Sequence, residues 1–247
     1  MMTEKELFLG LKEKFIAILE NENMFDDKIH ITLKTLTPKE AIGNTERQDF
    51  PIIVGKEVML QAEYKGSYGQ AFTDAPALFN GNMKDICELD LMEDGHARGL
   101  FIATLNAVMN FLKKADRCVH CKNDQPELCA KKMKDDLKKK YGNPKIALIG
   151  YQPAMLENLS SEFEVRVFDL NPANIGQDRY GVLVEDGEKQ YSEVTEWADL
   201  ILCTGSTLCN GTIVKYMELE KEVLFFGTTL SGAAPLLNLK RICYADD

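Results

Sequence analysis

Two residue patterns in this 247-residue chain are capable of chemistry. The first is sulfur. Cys118, His120, Cys121 and Cys129 form a C-x-H-C-x7-C array in which thiolates can chelate a soft metal and an imidazole can complete the donor set. The spacing matches neither a paired-ligand zinc finger nor a ferredoxin run, so zinc, iron and an iron–sulfur cluster all stay open as cofactors. Cys87 or an outside molecule would supply a further ligand. Three reduced structural thiols account for the same residues equally well. Cys203, Cys209 and Cys243 lie in or beside apolar runs and are expected to pack as small hydrophobes.

The second pattern is a set of small, hydroxyl-rich segments that follow apolar runs. After Ile149 comes Gly150, one glycine where a dinucleotide fingerprint needs three at fixed spacing, so a standard NAD site is not supported. Asp169 closes the next apolar run, where a carboxylate either accepts ribose hydroxyls of an adenosyl-type ligand or organises a turn with Asn171 and Pro172. Thr204, Gly205, Ser206, Thr207, Asn210 and Thr212 follow a third run. Their hydroxyls, with free amides at a helix start, can hold an anion or cap the helix. Gly227, Thr228 and Thr229 repeat the pattern, and two such loops side by side favour a ligand pocket. Nearer the N-terminus, Asp74 lies in a flexible segment from Gly66 to Pro76, while Arg98 and Asn106 lie two turns apart on one helix. An Asp74–Arg98 bridge is as plausible there as substrate binding. His30 and His96 have no partner pattern that suggests a dyad, and no nucleophile elbow, HExxH pair or Walker loop is present.

These residues must be positioned by two unlike halves. Residues 1–114 read as an α+β domain. A capped helix starts at Thr3 with Glu6, an antiparallel sheet spans 29–36 and 51–64, a Gly-rich loop covers 66–81, and a long helix runs from about Asp90 to Leu112 with Arg98, Ile102, Leu105, Met109 and Leu112 on one stripe. Residues 115–142 are a Cys-containing basic bridge, with eleven Lys or Arg against five Asp or Glu between Lys113 and Lys145. Asp124 and Glu127 predict a capping box for its helix, and the lysines read as the solvated face opposite Ala130, Met133 and Leu137. In residues 143–247 apolar runs at 146–149, 165–168, 200–203, 223–226 and 241–244 alternate with helices at 153–159 and 211–217, the pattern of a Rossmann-like parallel sheet. The fold class is α/β.

A net charge of −10 disfavours nonspecific binding to nucleic acid or an anionic membrane. The stretch Leu100–Leu112 falls short of a bilayer span. The opening residues lack the basic and apolar regions of a secretory signal, so a cytoplasmic protein with reduced cysteines is expected. The expected partner is a small molecule or metal complex, with a homo-oligomer left open.

At GQAFTDAP (Gly69–Pro76), RGLFIATLNAV (Arg98–Val108), HCKNDQPELCA (His120–Ala130), TGSTLCNGT (Thr204–Thr212) and FGTTLSGAA (Phe226–Ala234), the sequence resembles the "putative heavy-metal chelation" family. The resemblance implies an enolase N-terminal-like domain joined to a Rossmann-like domain, and metal chelation in the setting of anaerobic corrinoid metabolism. It also implies that Asp74, Arg98, Asn106, Thr204, Gly205, Thr207, Asn210 and Thr212 face an interdomain cleft. No catalytic assignment comes with it. Three readings stand: a metal-handling protein that needs no turnover, a group-transfer enzyme for an adenosyl or other anionic ligand, and a scaffold.

Overall fold

Alternation along the strands decides the architecture, because successive side chains of a parallel strand must be buried on opposite faces. The structure is a computed structural model that describes residues 2–29, 36–53, 58–73, 79, 81–92 and 95–244. Its first half runs α1 (Glu4–Asn21), β1 (Lys28–Ile29), α2 (Pro38–Ile42), β2 (Val58–Tyr64), β3 (Ser67–Thr73), β4 (Gly81–Asn82), α3 (Met83–Glu88) and α4 (Gly95–Phe111). The second half runs α5 (Gln125–Tyr141), β5 (Ile146–Ile149), α6 (Pro153–Ser160), β6 (Val165–Asp169), β7 (Asp178–Arg179), β8 (Val182–Asp186), α7 (Tyr191–Trp197), β9 (Leu200–Thr204), α8 (Val214–Met217), β10 (Glu222–Phe226), α9 (Ala233–Leu237) and β11 (Arg241–Ile242). A 3₁₀ turn, Gly205–Leu208, follows β9.

Seven strands form one sheet in the order β11-β10-β9-β5-β6-β8-β7, parallel except for the β7–β8 pair. This is the Rossmann-like α/β arrangement that the runs predict. From β5 the chain goes to β6 on one side and later returns to β9 on the other, so the strand order reverses between β5 and β9. Ala147, Ile149, Ile201, Cys203 and Phe225 point to a core shared with α1 and α4. Ile146, Leu148, Leu200, Leu202, Leu224 and Phe226 point to a second core shared with α5 and α6. Helices α1 and α4 are therefore packed directly on one sheet face, while Ala41 and Ile42 of α2 join the core on the other. Among the described residues no helix is long and apolar enough to cross a membrane.

Four local expectations change. Residues 66–81 are not simply a loop, since Ser67–Thr73 pairs with all of β2 through a tight turn at Lys65 and Gly66, both at positive φ. Gly69 suggests flexibility in the sequence but serves close approach. A Cβ there would lie 2.1 Å from the Ala107 amide nitrogen of α4. The sheet read over 29–36 and 51–64 is instead the β2–β3 hairpin and a separate β1–β4 pair, with 30–35, including His30, outside the described residues. On α5 the expected capping box does not form. Asp124 makes no side-chain cap, and Glu127 accepts a hydrogen bond from Arg47 Nη2 at 3.1 Å. The long helix is shorter than read and buried almost all round from Ala97 to Met109 rather than along one stripe, because the hairpin covers one side and the sheet-end loops the other.

The centre of this packing is polar. Asn106 is fully buried, and its Nδ2 lies 2.8 Å from the Gln70 carbonyl of β3 and 3.0 Å from the Thr229 carbonyl after β10. Its Oδ1 accepts the Gly232 amide at 2.7 Å.

Two substitutions test this packing by urea unfolding. Gly69→Ala should cost about 2 kcal/mol, because the added methyl meets backbone rather than a side chain that can swing away. Asn106→Ala should cost about 3 kcal/mol by stranding buried amide and carbonyl groups, and should speed hydrogen exchange at Gly232. A loss under about 1 kcal/mol for Asn106→Ala would show that water replaces the side chain there.

Candidate functional site

A cavity of about 660 Å³ opens where the ends of β5, β6, β9 and β10 meet the segment Arg117–Lys122, the start of α5 and Phe72 of β3. Ligands of open α/β sheets gather at the carboxyl ends of the strands, where the strand order reverses. Here that point lies between Gly150 and Thr204. Gly150, at φ +90°, brings the two loops into contact, since a Cβ there would lie 2.5 Å from Thr204 Cγ2.

The polar residues of the strand-end loops line the cavity, but much of their hydrogen-bonding capacity is already used. Asp169 accepts from the amides of Tyr151 at 3.2 Å and Asn171 at 2.8 Å, and from Asn174 Nδ2 at 2.9 Å. A carboxylate offers about four lone-pair positions, so the turn-organising role accounts for most of this one. Thr204 caps its own turn by accepting the Ser206 amide at 3.4 Å, and the Thr207 hydroxyl donates to the Thr204 carbonyl at 2.6 Å. Asn210 Oδ1 accepts the Thr212 amide and hydroxyl at 3.0 and 2.7 Å. The expected helix start is this 3₁₀ turn followed by the four-residue α8. Gly205 is buried beneath the loop, where a Cβ would sit 2.7 Å from Leu230 Cβ. Beyond β10, Gly227, Thr228 and Thr229 also line the cavity, with Thr229 Oγ1 accepting the Phe72 amide at 3.0 Å. The surface left for a ligand combines a few hydroxyls with a larger apolar wall that includes Phe72, Met133, Tyr151, Phe168 and Phe226.

The opposite wall carries the sulfur. Cys118, His120, Cys121 and Cys129 all border the cavity but do not converge as one donor set. Cys118 is buried, its thiol lies 3.6 Å from the Asp116 carbonyl, and burial pushes its pKa up to about 12. The His120 ring lies edge-on to Phe72, with Nδ1 2.6 Å from the Cys121 carbonyl. A carbonyl only accepts, so the neutral ring carries its proton on Nδ1 and its lone pair on Nε2. Burial also lowers its pKa. Cys121 is pushed up to about 12, first by burial and then by Cys243. The Cys129 thiol is raised by its hydrogen bond with Cys243 and by burial. Among the described residues, no group of three or more His, Cys, Asp or Glu side chains is placed to hold a metal ion. Cys87 lies in the α1–α4 core, away from this wall.

Two other expected cleft residues have structural roles. Arg98 pairs with Glu4, stacks on Phe8 with its guanidinium carbon 4.7 Å from the ring centroid, and donates to the Leu91 carbonyl at 2.5 Å. Asn106 is the buried tie described above. Asp74 lies outside the described residues. Cys243 is the residue that sequence reasoning missed. Its place beside an apolar run suggested packing, and no spacing rule links it to Cys129 far back in the chain. The structure also places Cys203 and Cys209 in the core, as small hydrophobes.

Comparison with known proteins adds to this geometry. Residues 136–239 match the family model described as "putative heavy-metal chelation" (DUF364). No curated protein matches. A DUF364-family protein of unknown function from Pyrococcus horikoshii is similar at 20% identity and a TM-score of 0.55, over 90% of this chain and 79% of that one. Another, from Desulfitobacterium hafniense, is similar at 11% identity and a TM-score of 0.52, over 94% of this chain and 84% of that one. At these identities the likeness shows the fold. Over residues 136–239 the chain matches the heavy-metal chelation family read from its motifs, and its fold is one that solved members of that family share.

Proposed function

We propose that this protein handles metal by binding a metal complex in the cavity between the N-terminal elements and the sheet, without needing catalytic turnover. The observation that carries this reading is that one recess of about 660 Å³ is bordered both by strand-end loops at the reversal of strand order and by four cysteine-bearing positions. The volume suits a cofactor-sized organic molecule. Its flat face would lie on Phe72, Tyr151 and Phe226, its polar edge would meet Thr204, Ser206 and Thr228, and a thiophilic centre would face the sulfur wall. The family described for residues 136–239 supports the same direction.

The second reading, group transfer on an adenosyl-type ligand, has one observation in its favour: neutral His120 borders the cavity with an unprotonated Nε2 that would serve as a base. It is the weaker reading, because the Asp169 carboxylate that would hold ribose hydroxyls already accepts three hydrogen bonds from its own chain.

Protein purified without oxygen or an affinity tag should retain metal and an organic molecule together, at about one of each per chain, as measured by elemental analysis and native mass spectrometry. Ser206→Trp, which places a large ring in the recess, should lose both while remaining folded. Saturating ligand at about 100 times its Kd should stabilise the wild type by about 2.7 kcal/mol. A wild-type protein that carries neither, and whose melting temperature does not respond to added metal complexes, would end the reading. An adenosyl-sized adduct without metal would favour group transfer.

A further inference from the structure

We propose that Cys129 and Cys243, rather than the sequence-adjacent Cys118, His120 and Cys121, form a two-sulfur clamp for a soft, filled-shell cation of the Cu(I) type. The clamp deepens the metal-handling reading and rests on it for its biological sense, but its geometry stands on its own.

Cys129 lies in the early turns of α5 and Cys243 directly after β11, so the two meet only because β11 pairs in parallel with β10 at the edge of the sheet, alongside α5. Their thiols are hydrogen-bonded to each other, and the Tyr244 amide donates to the Cys129 sulfur. The segment is held in place from the next residue, since the Tyr244 hydroxyl donates to Asp136 of α5 at 2.6 Å. Both cysteines are half-buried at the cavity, with Met133 and Ile242 also on its wall. Such a site has entry for an ion, a weakly polar shell and two fixed sulfurs. Cys121, near enough to Cys243 to raise its own pKa, stands beside the pair.

The donor set selects the ion. Structural zinc takes four ligands in a tetrahedron, and among the described residues no carboxylate or imidazole joins these thiols as a close third donor. Soft ions are held by thiolates alone, and Cu(I) is satisfied by two in line. The reaction balances as one Cu(I) plus two thiols giving a dithiolate complex of net charge −1 and two released protons. The Tyr244 N–H already directed at the Cys129 sulfur offsets part of that negative charge. The cluster brings the sulfurs together as neutral thiols, which avoids burying two charges when no ion is bound.

The test uses full-length, reduced, metal-free protein under argon, titrated with Cu(I) against a chromogenic Cu(I) chelator. Wild type and Cys118→Ser should each retain about one copper per chain, whereas Cys129→Ser and Cys243→Ser should bind more than about 100-fold more weakly, beyond the usual cost of losing an outer-shell partner. A footprint on the wild type needs no variant: Cu(I) should protect Cys129 and Cys243 from iodoacetamide while leaving the labelling of Cys87 unchanged. Wild-type affinity in Cys243→Ser, a loss in Cys118→Ser equal to that in Cys243→Ser, or a Cys129–Cys243 disulfide that reductant fails to open would each overturn the clamp. Because the probe is the bare ion, a cavity that proves to bind no organic ligand leaves the clamp standing, and a failed clamp leaves the cavity reading standing.

Discussion

The side-chain amide of Asn106 is the interaction on which the site's geometry depends. It is buried on a helix that is otherwise almost entirely apolar, where an unpaired amide would be costly. Its partners come from two distant parts of the chain: the Gln70 carbonyl on the hairpin, and the Thr229 carbonyl and Gly232 amide of the loop between β10 and α9. Satisfying all of them fixes where the hairpin stands relative to the end of the sheet. Gln70 passes that placement on. Its amide donates to the Cys118 carbonyl at 2.9 Å, and its Oε1 accepts the His120 amide at 2.7 Å, so the cysteine segment hangs from the same strand. Both walls of the cavity thus trace back to one buried polar contact.

Around this tie, close backbone approach does the remaining positioning. Gly69 lets β3 lie against α4, Gly150 lets the β5 and β9 loops touch, and Gly232 fits beneath the Asn106 side chain, where a Cβ would lie 2.8 Å from Oδ1. The hydroxyls of the strand-end loops then serve two purposes. Several of them cap the turns that shape the recess, and this leaves the cavity more apolar than its sequence suggests. A recess of that kind recognises a ligand by its face and shape, with polar contacts at the edge.

The thiols follow a related logic. Burial keeps Cys118, Cys121 and Cys203 protonated, with pKa values pushed up to about 12. Cys203 is sealed in the core, but Cys121, Cys129 and Cys243 border the cavity. The difference between a structural thiol and an available one is therefore access, and access is set by which strand ends at the recess.

The sequence by itself determined the elements whose signals are local. Thr3 and Glu6 close their capping box, the five apolar runs become parallel strands, and Ala130, Met133 and Leu137 form the buried face of α5. These signals are legible because hydrophobic period and capping chemistry act within a few residues. The two-residue turn at Lys65 and Gly66, the strand hidden behind Gly69 and the short strands β7 and β8 were less legible, because a glycine needed for close packing looks the same in sequence as one needed for a loop. Only the tertiary structure decided that Arg98 pairs with Glu4, that Asp169 turns inward to its own loop, and that Cys129 meets Cys243. Each of those pairings joins groups whose hydrogen-bonding or ionic capacity has several possible partners along the chain, and the packed sheet and helices bring only one of them within reach.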